Sequence, residues 1–461
     1  MTKTMAKEKT RGQATDIPMG GVAIKGFIGP DAPDPELLKA CVHCGMCLSS
    51  CPTYRITGLE MSSPRGRLWL MSGVSEGRIG VDDPIFQEQM YQCLNCRACE
   101  AVCPSGVQYG PLVEAARYQI EQQVPRSRLQ RAGRRVMLDW AFSDILRIGM
   151  LVQGARLYKA SGAQKVLRKS GLLKRIGAAD ADQMTPEAPG KFMRPGKEAW
   201  PAERTRRNVQ LFSGCIMGTV FADTNRAAGR VMARNGMSVD VPAGQGCCGA
   251  LMVHSGMFEE ARRLARRNIE AFEASGDDAV VITAAGCGST LKEYDHLLHD
   301  DPEYSDRAKA FAARVVDVTE ILAEQPLAPM GAIDRTVTYQ DACHLAHAQR
   351  ITAQPRALLK SIPGLRLVEM KESSLCCGSA GIYNLLRPEM AKELGDRKAA
   401  NTAQAGASQV VTANPGCAMQ LRASLERLNA DVTVTHIVDI LDEAYAAGDP
   451  VNVLAQPIGG D

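Results

Sequence analysis

Beyond residue 207 the chain alternates short apolar runs with helical stretches. The run 208–212 leads into Cys215, 279–283 into Cys287, 336–339 into Cys343 and 409–412 into Cys417. Segments such as FEEARRLARRNIEAFEAS lie between them, with apolar positions at helical spacing. Strands alternating with helices predict a parallel α/β sheet. The pattern upstream is different. Val136, Met137, Trp140, Ile145, Ile148 and Leu151 recur every three to five residues, with Asp139, Asp144 and Arg147 off that stripe, which predicts an amphipathic helical segment. Ser63 and Pro64, ahead of RGRLWLMSGV, read as an N-cap and first helical position. Residues 1–33 are polar and rich in Gly and Pro and read as a mobile tail. Pro186, Pro189, Pro195 and Pro201 mark a linker.

The sixteen cysteines fall into four groups with none left over. Two groups are runs of C-x2-C-x2-C-x3-C-P: Cys41, Cys44, Cys47, Cys51, then Cys93, Cys96, Cys99, Cys103. Thiolates at this spacing hold [4Fe–4S] cubes, and the fourth cysteine of each run ligates the other cluster. Cys41, Cys44, Cys47 and Cys103 are therefore expected at one cluster, and Cys93, Cys96, Cys99 and Cys51 at the second. The alternative is zinc, which usually takes separated C-x2-4-C pairs rather than a run of four.

The other groups are Cys215, Cys247, Cys248, Cys287 and Cys343, Cys376, Cys377, Cys417. Their offsets of 128, 129 and 130 across three anchors predict a duplicated domain. Ligands of open parallel sheets sit outside the carboxyl ends of the strands, where the four thiols of each copy are expected to converge. Soft thiolates there suit an additional iron–sulfur or zinc centre; a degenerate site, a vicinal disulfide or buried apolar cysteines are the alternatives. Residues 244–249 match G-x-G-x-x-G, but the variable positions are cysteines and the second copy has Ser373 and Leu375 instead of glycines, so nucleotide binding is rejected. His344 and His347 flank Cys343 as C-H-x-x-H and could touch a metal or quinone; packing or capping is the plainer role.

Charge adds one feature. Net charge is +3, yet residues 126–175 hold thirteen Arg or Lys against two acids. Cations among aliphatic side chains fit a surface-lying membrane segment or an arm docking a partner subunit. Scarce aromatics argue against nucleic acid. The N-terminal residues lack an apolar signal core, and thiols at cluster spacing fit a reducing cytosol.

The phrases ACVHCGMCLSSCPTY, SSPRGRLWLM, CLNCRACEAVCPSGVQYG, GCCGALMVH, TAAGCGSTLKEY, LCCGSAGIYNLL and TANPGCAMQL make the chain resemble the iron–sulfur subunits of glycolate oxidase, within the wider CCG-domain family. The resemblance spans about 34–445. It implies a multidomain α + α/β protein. A tail (1–33) precedes an α-helical two-cluster ferredoxin domain (34–125), then a basic helical segment and linker (126–206). Two duplicated parallel α/β CCG domains follow (207–330 and 331–461). It further implies two [4Fe–4S] clusters, FAD-containing partner subunits that oxidise glycolate to glyoxylate, and a quinone or other membrane acceptor at the inner face of the cytoplasmic membrane. Lactate or glycerol-3-phosphate complexes, and a CCG-type disulfide or quinone reductase, are the alternatives. The chain departs from the full CCG pattern, since Thr290 and Gln420 stand where the last cysteine of C-x-x-C would be.

Overall fold

The computed structural model describes residues 25–175, 182 and 190–449. Short proline-led helices build the ferredoxin domain: Pro35–Lys39, Pro52–Thr57, Pro64–Ser75 and Pro84–Gln92, followed by Tyr109–Gln123. Proline at the first helical position is pre-set in φ and lacks only an N–H that would be unpaired there anyway. Ser63 caps Pro64–Ser75 by accepting from Gly66 N at 3.0 Å, and Asp83 caps Pro84–Gln92. A Cβ on Gly66 would sit 2.0 Å from the Glu60 carbonyl oxygen, so only glycine allows this helix to start against that turn. The core between the helices holds Leu68, Met71, Val74, Phe86, Met90, Leu112, Val113 and Ile120.

The two downstream sheets are copies. In the first, β1 (Ala199–Trp200), β2 (Arg207–Leu211), β3 (Met237–Asp240), β4 (Ala279–Ile282) and β5 (Val315–Asp317) run in the order β1-β3-β2-β4-β5, with only β1 antiparallel. In the second, β6 (Arg335–Tyr339), β7 (Leu365–Val368), β8 (Gln409–Thr412) and β9 (Thr433–His436) run β7-β6-β8-β9, all parallel. Val209 faces Val239 and Ala279; its counterpart Val337 faces Leu367 and Gln409. One apolar core joins the sheets, running from Val209, Leu211 and Val239 to Val337, Tyr339 and Ile437. Helix Ala222–Arg234 lies along Ile437–Gly448, tied by Arg230–Asp442 at 2.6 Å and Asn235–Tyr445 at 2.9 Å.

The ferredoxin domain sits over the carboxyl ends of both sheets. Arg117 Nη1 donates to the His254 carbonyl at 2.7 Å, while the same guanidinium binds the Met90 and Cys93 carbonyls. Arg97 pairs with Glu293 of the first copy, and Tyr383 of the second donates to the Gln92 carbonyl at 3.0 Å.

Three expectations need correction. Of the tail read over 1–33, residues 1–24 lie outside the described residues, but 25–33 are held fast. Ile28 exchanges two hydrogen bonds of 2.8 Å with the Gln119 side chain, and Asp31 pairs with Arg262. A run of prolines and glycines looked mobile because its anchors are far along the chain. The linker contains a strand, β1, whose Trp200 is buried beneath Gly229; residues 176–181 and 183–189 lie outside the described residues. Finally, the basic segment does not form one amphipathic stripe. Helix Arg128–Arg134 widens into a π-helical turn over Arg135–Ala141 before helix Ile145–Ala160 restarts at the Asp144 cap. The wider turn and the restart rotate the buried face. Leu138, Ile148 and Val152 are buried, whereas Val136, Trp140 and Leu151 are exposed. Leu146, Met150 and Leu157 are exposed too, so apolar residues surround this helix rather than line one side. Among the described residues no helix is long and apolar enough to cross a membrane.

Candidate metal centres

Both ferredoxin runs fold into the same loop. His43 and Gly45 in the first, and Asn95 and Arg97 in the second, take left-handed φ at matching positions. These turns aim backbone N–H groups inward, where negative charge is favoured; Asn95 N donates to Cys93 Sγ at 3.3 Å. Every one of the sixteen cysteines is free of a disulfide.

Cys41, Cys44, Cys47 and Cys103 line one cleft, walled by Arg65, Leu68 and Tyr109, and Cys99 of the second run reaches its edge. Cys51 lies instead among the second run. Burial pushes the Cys99 thiol well up, and Cys96, Cys93 and Cys51 are its thiol neighbours. The fourth cysteine of each run thus sits with the first three of the other. Arg67, fully buried in helix Pro64–Ser75, stands beside Cys51 and Cys93. Its guanidinium donates to Gln89 O and Ser62 O, both at 2.7 Å, and to Thr53 Oγ1 and Gln92 Oε1, both at 3.1 Å. A fixed, fully hydrogen-bonded cation among thiols is the counter-charge that a cluster of thiolates requires. Tyr109 OH donates to Cys93 Sγ at 3.6 Å.

The CCG thiols gather at the strand ends of each copy. In the first, hydrogen bonds link Cys215 to Cys247, Cys247 to Cys248 and Cys248 to Cys287; those from Cys215 and Cys248 hold the Cys247 thiol well below its usual range. In the second, Cys343, Cys376, Cys377 and Cys417 form the equivalent chain, with Cys377 and Cys417 sulfurs 3.4 Å apart. Here Cys377 is the depressed thiol, through hydrogen bonds shared with Cys376 and Cys417. Gly249 and Gly378 both take left-handed φ, and a Cβ on Gly378 would lie 2.6 Å from the Ala391 carbonyl oxygen. Glycine is what brings each Cys-Cys pair against its helix.

The two sites differ in their neighbours. Cys96 of the second ferredoxin run packs directly with Cys343 and Cys376, and its thiol is raised by a hydrogen bond with Cys376 and by burial. Lys398 is buried beside the second set; its Nζ donates to the Glu372 and Ser373 carbonyls at 2.5 and 3.0 Å. In the first copy a neutral residue, Asn268, binds the Cys-Cys loop through Gly246 N and Cys247 O, at 2.8 and 2.9 Å. His344 Nδ1 lies 3.5 Å from Cys343 Sγ and its ring meets His254 at 5.1 Å; His347 instead bonds the Ser374 carbonyl at 3.0 Å. Among the described residues no three His, Cys, Asp or Glu side chains meet closely enough for a single metal ion; a cube, attached through four separate irons, requires wider spacing. The all-thiol donor sets fit an iron–sulfur cluster at each ferredoxin site, with the buried cation Arg67 beside the second.

Sequence reasoning missed Arg67, Lys398 and the Cys96–Cys376 contact. An arginine inside the apolar stripe Leu68, Met71, Val74 was the available signal for the first.

Known proteins resemble the chain in each of these regions. Residues 37–107 match a 4Fe-4S dicluster domain, 209–292 and 337–422 match the cysteine-rich CCG domain, and 129–186 match the linker region of the glycolate oxidase iron–sulfur subunit. A probable glycolate oxidase iron–sulfur subunit of Bacillus subtilis is 42% identical, covering 89% of this chain and 94% of its own. The glycolate oxidase iron–sulfur subunit of Escherichia coli is 35% identical over the same shares. A subunit of the fumarate reductase (CoM/CoB) of Methanothermobacter marburgensis is 29% identical, covering 95% of this chain and 79% of its own.

Proposed function

Because the chain belongs to the family of glycolate oxidase iron–sulfur subunits, we propose that it relays electrons from an FAD-containing partner that oxidises glycolate to glyoxylate toward a membrane quinone. The observation that carries this reading is the crossed convergence of the ferredoxin thiols. Cys41, Cys44, Cys47 and Cys103 hold one [4Fe–4S] cluster, and Cys93, Cys96, Cys99 and Cys51 hold the second. Each cluster, when bound, supplies one-electron storage. Arg67 balances the thiolate charge of Cys51 and Cys93, and the apolar packing of Cys93 and Cys99 with Leu68, Val107 and Leu112 excludes water. The CCG thiols hold a further iron–sulfur centre. Substrate chemistry belongs to the partner.

Exposed Leu146, Met150, Leu157 and Val166 lie within the segment that carries thirteen cations against two acids. That surface suits anionic lipid headgroups, which would seat the protein at the cytoplasmic face of the membrane.

The assignment is tested by anaerobic iron and sulfide quantitation with EPR. About eight irons per chain correspond to two cubes, and more to occupied CCG sites. Cys103→Ser should remove the same signal as Cys41→Ser, and Cys51→Ser the same as Cys93→Ser. If Cys103→Ser instead removes the Cys93 signal, the crossing is wrong. Co-purification with a flavoprotein, and cluster reduction by glycolate rather than lactate in that complex, test the partner and the substrate.

A further inference from the structure

A cavity of about 730 Å³ opens between the ferredoxin domain, the strap of residues 26–37 and the first CCG copy. Its walls are apolar, built from Phe27, Leu37, Leu112, Phe258 and Leu297, and Glu114, Glu293 and His296 enter it. The strap is a fixed wall, held by Gln119 and by the Asp31–Arg262 pair.

The lining selects against anions. Asp31, Asp34, Glu114 and Glu293 contribute four carboxyls, against Arg262, shared between Asp31 and Glu259, and Arg97, which pairs with Glu293 from behind the wall. A 2-hydroxy acid would meet repulsion here. A neutral, flat molecule with an apolar body and polar ends meets the usual composition of a ligand site.

The cavity lies one residue away from the second thiol set. Glu114 Oε1 accepts from Asn95 Nδ2 at 2.5 Å, and the same Asn95 donates its backbone N–H to Cys93 Sγ. Tyr109, which touches Cys93 Sγ, begins the helix whose Leu112 lines the cavity. On the opposite wall the exposed His296 lines the cavity with its ring stacked on that of His299 at 5.7 Å, and an imidazole can donate one hydrogen bond.

We propose that this cavity binds the head group of a quinone, with His296 hydrogen-bonding one carbonyl and Leu112 and Phe258 enclosing the ring. The proposal rests on the electron-relay reading above and gives its acceptor a place. Two electrons come from the reduced flavoprotein partner, one at a time, and two protons come from water at the cavity mouth. Both quinone C=O groups become C–OH, and no other bond breaks.

The test is binding of menadione to the full, cluster-loaded, oxidised chain, followed by equilibrium dialysis. Saturable binding at one site is expected. His296→Leu and Ala115→Phe, which fills the wall, should each weaken it roughly tenfold or more, and His296→Gln, keeping a donor, should stay within roughly threefold. Iron content and EPR spectra identical to the parent verify that the variants are folded. Absence of saturable binding, or unchanged affinity in both disruptive variants, overturns the proposal. The relay reading fails separately, through loss of cluster reduction by the flavoprotein in the unaltered chain, which leaves the dialysis result intact.

Discussion

The two CCG copies share strand order, register and cysteine positions, yet their surroundings have diverged. The second copy is packed against Cys96 and holds a buried ammonium, Lys398. The first has Asn268 beneath its Cys-Cys loop and packs its thiols with Ile148 and Val152 of the basic segment. A duplicated scaffold thus carries one thiol set in direct contact with the ferredoxin domain and one set beneath the exterior arm. Corresponding ligand positions do not make equivalent centres. What lies outside the four sulfurs decides which set is connected and what charge it tolerates.

The largest difference should appear in the spectra. Cys376→Ser is expected to change the EPR line shape or midpoint of a ferredoxin cluster, while Cys248→Ser leaves those signals untouched. An equal response from both would mean that the Cys96 contact carries no influence.

Next comes stability. Lys398→Met removes a buried charge from its carbonyl acceptors and should cost about 3 kcal/mol. Asn268→Ala removes neutral hydrogen bonds and should cost about 1–2 kcal/mol. Denaturant midpoints compare the two.

A pH effect of similar origin separates the last strands, β5 and β9. Asp317 and His436 occupy the same place, each the last strand residue and the cap of the next helix. Burial raises Asp317 to about 6 and lowers His436 to about 4. The folded state keeps a proton on Asp317 that the unfolded chain loses near pH 3.8, so its contribution falls as pH rises from about 4 to 6. His436 acts in reverse: its contribution is complete above pH 6.5 and is lost as pH falls toward 4. Asp317→Asn should therefore stabilise the protein at pH 7 by up to about 3 kcal/mol, with no gain below pH 4. His436→Asn should flatten the acid-side loss. Urea melts across pH 4–8 would sink this account if the two variants shifted the curve in the same direction.

The smallest effect concerns a duplicated ion pair, Arg207–Glu324 in one copy and Arg335–Glu443 in the other, 3.1 and 2.7 Å long and largely solvated. Glu324→Gln and Glu443→Gln should each change the melting free energy by less than about 1 kcal/mol. A larger shift in one alone would reveal a further divergence.

Much of this architecture was legible in the chain. The cysteine offsets disclosed the duplication, and the apolar runs before Cys215, Cys287, Cys343 and Cys417 became β2, β4, β6 and β8, the adjacent central pair of each sheet. Outer strands were harder: β7 is only partly buried and β1 is two residues within a proline-rich stretch. Local periodicity sees a strand only where burial is continuous. The π-helical turn escaped for the same kind of reason, because a stripe read at 3.6 residues per turn cannot register an extra residue. Cys96 against Cys376, Arg67 beside Cys51 and Cys93, and the strap on Gln119 are tertiary facts, joining residues far apart in sequence. Spacing within one motif contains no record of them.

Arg117 has a further consequence. Its single guanidinium grips carbonyls at Met90 and Cys93 on one side and at His254 on the other, so the loop bearing a cluster thiol and the turn bearing His254 cannot drift apart independently. The junction behaves as a welded joint rather than a hinge. On the relay proposed above, an electron crossing that junction would meet a gap set by these bonds, a constant of construction.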